Sequence, residues 1–141
     1  MSTLFIALMR FLSHWPLPAL RVSGHVLGLL LWAAVPSRRR IVQINLRLCF
    51  PHKSDAEIHQ LARAHFVQFA QSLLDRAWLW HAPLPLVAQR LKWVGSKVAM
   101  DQLVQEGPKV VFAPHFVGLD AGGLALTLKA SKPVAFIFVP Q

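Results

Sequence analysis

Apolar side chains dominate the first part of the chain in continuous runs. A short apolar stretch covers residues 4–12, and a longer one, ALRVSGHVLGLLLWAAV, covers residues 19–35, with Arg21 near its front and Trp32 near its end. As a helix the longer segment would be about 26 Å long, just short of the ~30 Å hydrocarbon core of a bilayer. We predict a helix that either crosses a membrane or lies on it; a buried core helix and an uncleaved signal-like segment are the alternatives.

The segment from Ser54 onward begins with polar residues and continues with apolar residues at helical spacing. Ser54 opens the sequence SDAE, an S-x-x-E capping box with acids in the first helical turn. Apolar residues then recur at spacings of three and four, which predicts one amphipathic helix over residues 55–80. His65 falls on the predicted apolar stripe and is interpreted as a packed core histidine. Pro83 and Pro85 are predicted to end this element.

The last part of the chain changes to short apolar runs separated by turn residues. Residues 110–113 (VVFA) and 133–139 (PVAFIFV) have the length of buried strands, and residues 91–94 could form another. A short helix is predicted over residues 97–105, and a further helix after Asp120. Strand, loop, helix and strand make a βαβ unit, so the predicted fold class is α/β: a partial parallel sheet with flanking helices, preceded by an N-terminal membrane-anchoring helix.

Composition and charge narrow the choice of partner. The chain is 55% hydrophobic and only 15% charged, with a net charge of +9; soluble domains usually carry about 25% charged residues. The apolar composition favours an anionic membrane surface and acidic proteins over nucleic acid. Cys49 is the single cysteine, which excludes an internal disulfide and a cysteine-rich metal site.

The charge is also unevenly distributed. No acidic residue precedes Asp55, whereas seven Lys or Arg residues do, including the run Arg38, Arg39 and Arg40. Basic residues directly after an apolar segment place the following chain in the cytoplasm by the positive-inside rule. We therefore predict a membrane-associated segment at residues 1–35 and a second domain at residues 36–141.

His115 and Asp120 are the candidate catalytic residues. His115 follows the predicted strand 110–113, and open α/β sheets bind ligands at the carboxyl ends of strands. Histidine suits a general base at neutral pH, and a carboxylate can fix its tautomer. On a continuous helix a spacing of five would separate the side chains by about 140°, so Asp120 must lie in the first turn of the next helix. His52 and Glu57 repeat the spacing, so spacing alone leaves a structural histidine open.

Three segments together carry a resemblance to a known family. INLRLCFP at residues 44–51, WVGSKVAMDQLVQEG at 93–107 and VVFAPHFVGLDAGG at 110–123 occur in this order. They resemble the bacterial lipid A biosynthesis acyltransferases, the lauroyl and myristoyl transferases of the lysophospholipid acyltransferase class, which carry an H-x4-D/E motif. The resemblance covers nearly the whole chain and includes the family's N-terminal membrane anchor at residues 19–35.

The resemblance implies acyl transfer at the cytoplasmic face of the inner membrane. The donor would be an acyl thioester on acyl carrier protein, and the acceptor a hydroxyl of a lipid A precursor. The family's catalytic histidine corresponds to His115 and its partner carboxylate to Asp120. The resemblance implies neither a metal nor a bound cofactor. No nucleic-acid partner is expected, because the basic residues are scattered among apolar helices.

The family pattern continues beyond Gln141, with further strands and polar residues that hold the acceptor. We therefore expect residues 36–141 to be the N-terminal part of the acyltransferase domain, and the 141 residues alone to be inactive or nearly so. The alternative hypothesis is a non-catalytic, basic, membrane-associated module that binds lipid or a partner protein.

Overall fold

The computed structural model describes residues 3–92, 94–105, 107–113 and 117–129. These ranges contain seven helices: α1 Thr3–Ser13, α2 Leu17–Ala34, α3 Pro36–Cys49, α4 Asp55–His81, α5 Leu84–Arg90, α6 Lys97–Val104 and α7 Leu119–Lys129. The chain divides into two compact units, residues 1–82 and residues 83–141. The predicted boundary between residues 35 and 36 separates a membrane-associated segment from the rest of the chain. It stays a prediction.

The long helix α4 organises the first unit, because α1, α2 and α3 all pack against it. Its N-terminus forms the predicted capping box at Ser54. The buried side chains of α4 recur mostly every four residues: Ile58, Ala62, Phe66, Ala70, Leu74, Ala77, Trp78 and Leu79. The core interpretation of His65 is wrong: this residue is exposed. It lies one position before Phe66, and one residue rotates a side chain by about 100° around the helix axis.

The apolar helix α2 confirms the helix predicted over residues 19–35 and begins slightly earlier, at Leu17. Pro16 precedes it and Pro18 lies in its first turn, where a missing backbone N–H costs no helical hydrogen bond. Within the described residues, α2 alone has the length and composition to cross a membrane.

Two glycines bring α2 into close contact with α4. A Cβ atom on Gly24 would lie 2.8 Å from the Cα of Gln71, and one on Gly28 would lie 2.5 Å from the Cα of Val67. Both distances are too short for two carbon atoms, so the approach of the helices requires glycine at these positions. At one end Arg21 pairs with Asp75 at 2.9 Å.

Helix α3 was not predicted. It begins at Pro36, directly after a break at Val35 (φ −122°, ψ 72°), and ends at Cys49. It buries no residue, although Ile41, Ile44 and Leu48 recur at helical spacing and stay exposed. The only sequence signal for its start is a proline at the first helical position.

The second unit corrects the predicted fold class. The described residues contain no β-strand: residues 110–113 and the described part of 91–94 have no regular secondary structure. Val110 is 99% exposed and Phe112 92% exposed, so this run is not a buried strand. An apolar run alone does not specify the neighbouring strand whose hydrogen bonds a sheet requires. The α/β prediction is therefore wrong for the described residues, which are helical; residues 133–139 lie outside them.

The other helices of this unit agree with the predictions. Helix α6 lies within the predicted segment 97–105, and α7 begins at Leu119, beside Asp120. Helix α5 was not predicted, because Pro83 and Pro85 were interpreted as terminators. Helix α4 does end at His81, before Pro83 as predicted, but Pro83 is also the residue before α5, and Pro85 lies in the first turn of α5.

Candidate active site

Asp120 lies where the proposed dyad requires it. Helix α7 begins at Leu119, and Asp120 is in its first turn with a partly exposed side chain. The partial positive charge of a helix N-terminus favours a carboxylate at this position. His115 lies outside the described residues, so its pairing with Asp120 stays a prediction.

A glycine controls the entry into this helix. Gly118 adopts φ +92° and no atom lies within 4 Å of where its Cβ would be. Its carbonyl oxygen accepts a hydrogen bond of 2.9 Å from the backbone N–H of Gly122, which closes the first turn of α7. Side-chain-bearing residues rarely adopt this φ, so the turn at residues 117–118, directly before α7, depends on glycine. Sequence reasoning missed Gly118, although a glycine inside the H-x4-D spacing was the available signal.

His52 and Glu57 repeat the H-x4-acid spacing, but Glu57 has a structural role. Glu57 Oε2 accepts hydrogen bonds of 2.9 Å from both the backbone N–H and the hydroxyl of Ser54, and Glu57 Oε1 accepts one of 3.0 Å from Lys53 Nζ. The backbone hydrogen bond from Ser54, followed by the bond from Lys53, lowers the pKa of Glu57 from 4.5 to about 2. Within the described residues His52 makes no hydrogen bond to Glu57. The acid of this second pair therefore stabilises a helix cap, although its spacing from a histidine is the same as that of Asp120.

The basic run at residues 38–40 divides between two roles. Arg39 turns back toward α2: its guanidinium carbon lies 5.1 Å from the centre of the Trp32 ring, and Nη1 donates to the Trp32 carbonyl at 3.2 Å. Arg38 and Arg40 are exposed, and neither has an ion-pair partner among the described residues. By contrast, Arg47 is paired with Asp55 at 2.9 Å.

Comparison with known proteins decides the family. The family model of the bacterial lipid A biosynthesis acyltransferases matches residues 1–141, the whole chain. The chain belongs to this family. The family match covers both Asp120 in α7 and the segment 44–51, which forms the end of α3 and the turn after it.

The chain has moderate sequence identity to curated members of the bacterial lipid A acyltransferase family. The chain is 27% identical over 107 residues to the lipid A biosynthesis lauroyltransferase of Escherichia coli K12, covering 76% of this chain and 35% of the relative. It is 28% identical over 100 residues to the myristoyltransferase of that organism, covering 70% and 31%. It is 30% identical over 107 residues to lipid A biosynthesis acyltransferase 2 of Shigella flexneri, covering 74% and 34%.

These matches cover only part of the relatives. The chain spans about a third of the length of the curated proteins that it matches. No solved structure gives a significant match.

Proposed function

We propose that this chain is part of an acyltransferase that moves a fatty acyl group from acyl carrier protein to a hydroxyl of a lipid A precursor. Membership of the lipid A acyltransferase family over residues 1–141 carries the proposal. The position of Asp120 in the first turn of α7 supports it, because only that arrangement lets a carboxylate five residues after a histidine turn back toward it.

In the proposed mechanism His115 is the general base. Its ring nitrogen takes the proton of the acceptor hydroxyl while the hydroxyl oxygen attacks the thioester carbonyl carbon. The C–S bond then breaks, the acyl group stays on the acceptor oxygen as an ester, and the carrier thiolate takes the proton from the imidazolium. Asp120 accepts a hydrogen bond from the other ring nitrogen and stabilises the imidazolium.

The proposed location is the cytoplasmic face of the inner membrane. The net charge of +9 supports an encounter with an acidic carrier protein and with a phosphorylated lipid. The apolar composition supports contact with acyl chains.

The test is a pair of histidine substitutions in the protein at the full length of its natural reading frame. His115→Ala should lower the transfer of labelled acyl groups from acyl carrier protein to the lipid acceptor by about 10²–10⁴-fold, the usual contribution of a general base. His52→Ala is the matched control, because His52 has the same spacing to an acid that is already committed to a helix cap; this variant should transfer at the unsubstituted rate.

Two outcomes would contradict the proposal. Unchanged transfer by His115→Ala would remove the dyad from the mechanism. Absence of transfer by the unsubstituted protein, together with intact vesicle binding in both variants, would favour the non-catalytic lipid-binding alternative.

A further inference from the structure

The two faces of α2 differ in what they contact. The inner face includes Gly24 and Gly28, which are buried against α4. On the outer face, Val22, Val26 and Leu30 are 65%, 50% and 61% exposed. A spacing of four residues places these three side chains along one side of the helix. We call Val22, Val26 and Leu30 the outer stripe.

Helix α2 is paired with α4 along most of its length. The contacts run antiparallel: Arg21 of α2 meets Asp75 of α4 at 2.9 Å, and the ring of Trp32 lies 5.0 Å from that of His59. The glycine contacts lie between these two ends. Any orientation that α2 takes in a membrane is therefore imposed on residues 59–75 of α4.

That part of α4 is unsuited to the hydrocarbon core. It carries five exposed polar side chains: His59, Gln60, Arg63, His65 and Gln68. If α2 crossed a bilayer, most of these residues would lie at the same depths as the apolar residues of α2. Lipid-facing polar and charged side chains are unfavourable at those depths, because the hydrocarbon offers no hydrogen-bond partner. A helix that lies flat avoids this, since its outer stripe can enter the lipid while α4 stays outside the hydrocarbon.

The charges at the start of α3 indicate which kind of surface the stripe meets. Arg38 is exposed in the first turn of α3, and Arg40 is exposed just after that turn, which contains no acidic residue. Cations at a helix N-terminus are disfavoured by the helix dipole, so local helix stability does not account for them. Phosphate groups of anionic lipids are complementary to them, and residues 1–54 contain no acid that would repel such lipids.

We propose that α2 lies in the plane of an anionic membrane surface instead of crossing the bilayer. The outer stripe enters the boundary between headgroups and acyl chains, and Arg38 and Arg40 contact lipid phosphates. The proposal rests on the membrane location given under Proposed function, and it requires no acyl transfer by the chain.

The first test measures the depth of the outer stripe. In a Cys49→Ser background, single cysteines replace Val22, Val26 or Leu30 and carry an environment-sensitive fluorophore. The protein is bound to vesicles of phosphatidylcholine and phosphatidylglycerol, and lipids with quenchers at two depths locate each label. A helix in the plane places all three labels at one shallow depth. A crossing helix separates the first label from the last by about 12 Å.

Gln60→Cys on α4 is the control position, and its label should be reached by a quencher dissolved in the water phase. Three graded depths along the outer stripe would show that α2 crosses, and would overturn the proposal. Failure of all three stripe labels to meet any lipid quencher, in protein that sediments with the vesicles, would overturn it as well, since another surface would then bind the membrane.

The second test concerns charge. Arg38→Gln and Arg40→Gln should each weaken binding to vesicles containing phosphatidylglycerol by about fivefold, the effect of one basic residue near an anionic surface. Binding to pure phosphatidylcholine should not change. Arg47→Gln is the matched control, because it removes the same charge from the same helix at a site already paired with Asp55. An equal loss in all three variants would assign the effect to net charge and contradict the assigned contacts.

Acyl transfer measured on the same proteins separates the two proposals. Equal stripe depths without any transfer would count against the acyltransferase function alone. Graded depths with normal transfer would count against the in-plane helix alone.

Discussion

Residues 1–82 bury apolar side chains between four helices, whereas the described part of residues 83–141 leaves several of its apolar side chains in solvent. In the first unit Ala62 and Ala70 of α4 are fully buried, and α1, α2 and α3 pack around that helix. In the second unit Val110 and Phe112 are almost fully exposed. The first unit is thus built by helix packing, and the second carries the candidate chemistry at Asp120. Substitutions in the packed helices of the first unit should therefore change stability, whereas substitution of Asp120 should change the acyl-transfer rate.

The largest effect is expected at Asp120. Asp120→Asn in the full-length protein should lower the acyl-transfer rate about a hundredfold or more, because an amide cannot stabilise a developing imidazolium as a carboxylate does. The melting temperature should fall only slightly, because the amide loses the favourable interaction of a carboxylate with the helix N-terminus. Asp101→Asn in α6 makes the same chemical change at an exposed position and should leave the rate unchanged. Equal rate losses in both variants would refute a special role for Asp120.

Glycine to alanine substitutions test the difference in packing between α2 in the first unit and α7 in the second. Gly28→Ala should destabilise the first unit by about 1–3 kcal/mol, the usual effect of overpacking, since the new methyl group would overlap the α4 backbone at Val67. Gly122→Ala in α7 meets no atom within 4 Å and should be neutral or stabilising by up to about 1 kcal/mol. Chemical unfolding in detergent, followed by circular dichroism, measures both. A Gly28→Ala protein as stable as Gly122→Ala would disprove the close approach of α2 and α4.

Ion pairs within the first unit should have a smaller effect. Arg21 and Asp75 join α2 to α4, and the Asp75 side chain is only 16% exposed and also accepts a hydrogen bond from Trp78. Arg21→Gln should cost about 1 kcal/mol of unfolding free energy, near the upper end for such pairs. Arg47→Gln breaks a pair whose Asp55 is 88% exposed and should change stability little. The reverse order of the two losses would contradict the burial of the first pair.

The sequence predicted local structure better than it predicted pairing between distant segments. Helix α4 was predicted from its capping box at Ser54 and its apolar repeat, because both signals lie within the helix itself. Residues 110–113 were predicted as a buried strand because they are apolar, yet apolar composition does not determine which distant residues cover a segment. Helix α3 was missed although Ile41, Ile44 and Leu48 recur at helical spacing, which is a local signal.

The same distinction holds at the candidate site. Asp120 was placed correctly in a first helical turn, since a turn followed by small and apolar residues is a local signal. The positive φ of Gly118 was missed, because sequence alone does not give the turn type. The tight contacts of Gly24 and Gly28 were missed as well, because they depend on the approach of α4, far along the chain.

The smallest expected effect is the pH dependence of the α4 cap. The pKa of Glu57 is about 2 in the folded protein against an ordinary value of 4.5, chiefly because its carboxylate accepts the backbone hydrogen bond of Ser54. A lowered folded pKa means that the stabilisation is complete above pH 4.5 and is lost as the pH falls toward 2. Glu57→Gln keeps an acceptor for Ser54 but cannot titrate.

The melting temperature of the unsubstituted protein should therefore fall more steeply than that of Glu57→Gln between pH 4.5 and pH 2, while the curves run parallel above this window. The difference should be small, since the cap is exposed and solvent screens its charges. Parallel curves throughout would mean that the cap opens in solution. A difference seen only above pH 4.5 would have the wrong sign for a carboxylate whose pKa is lowered by folding.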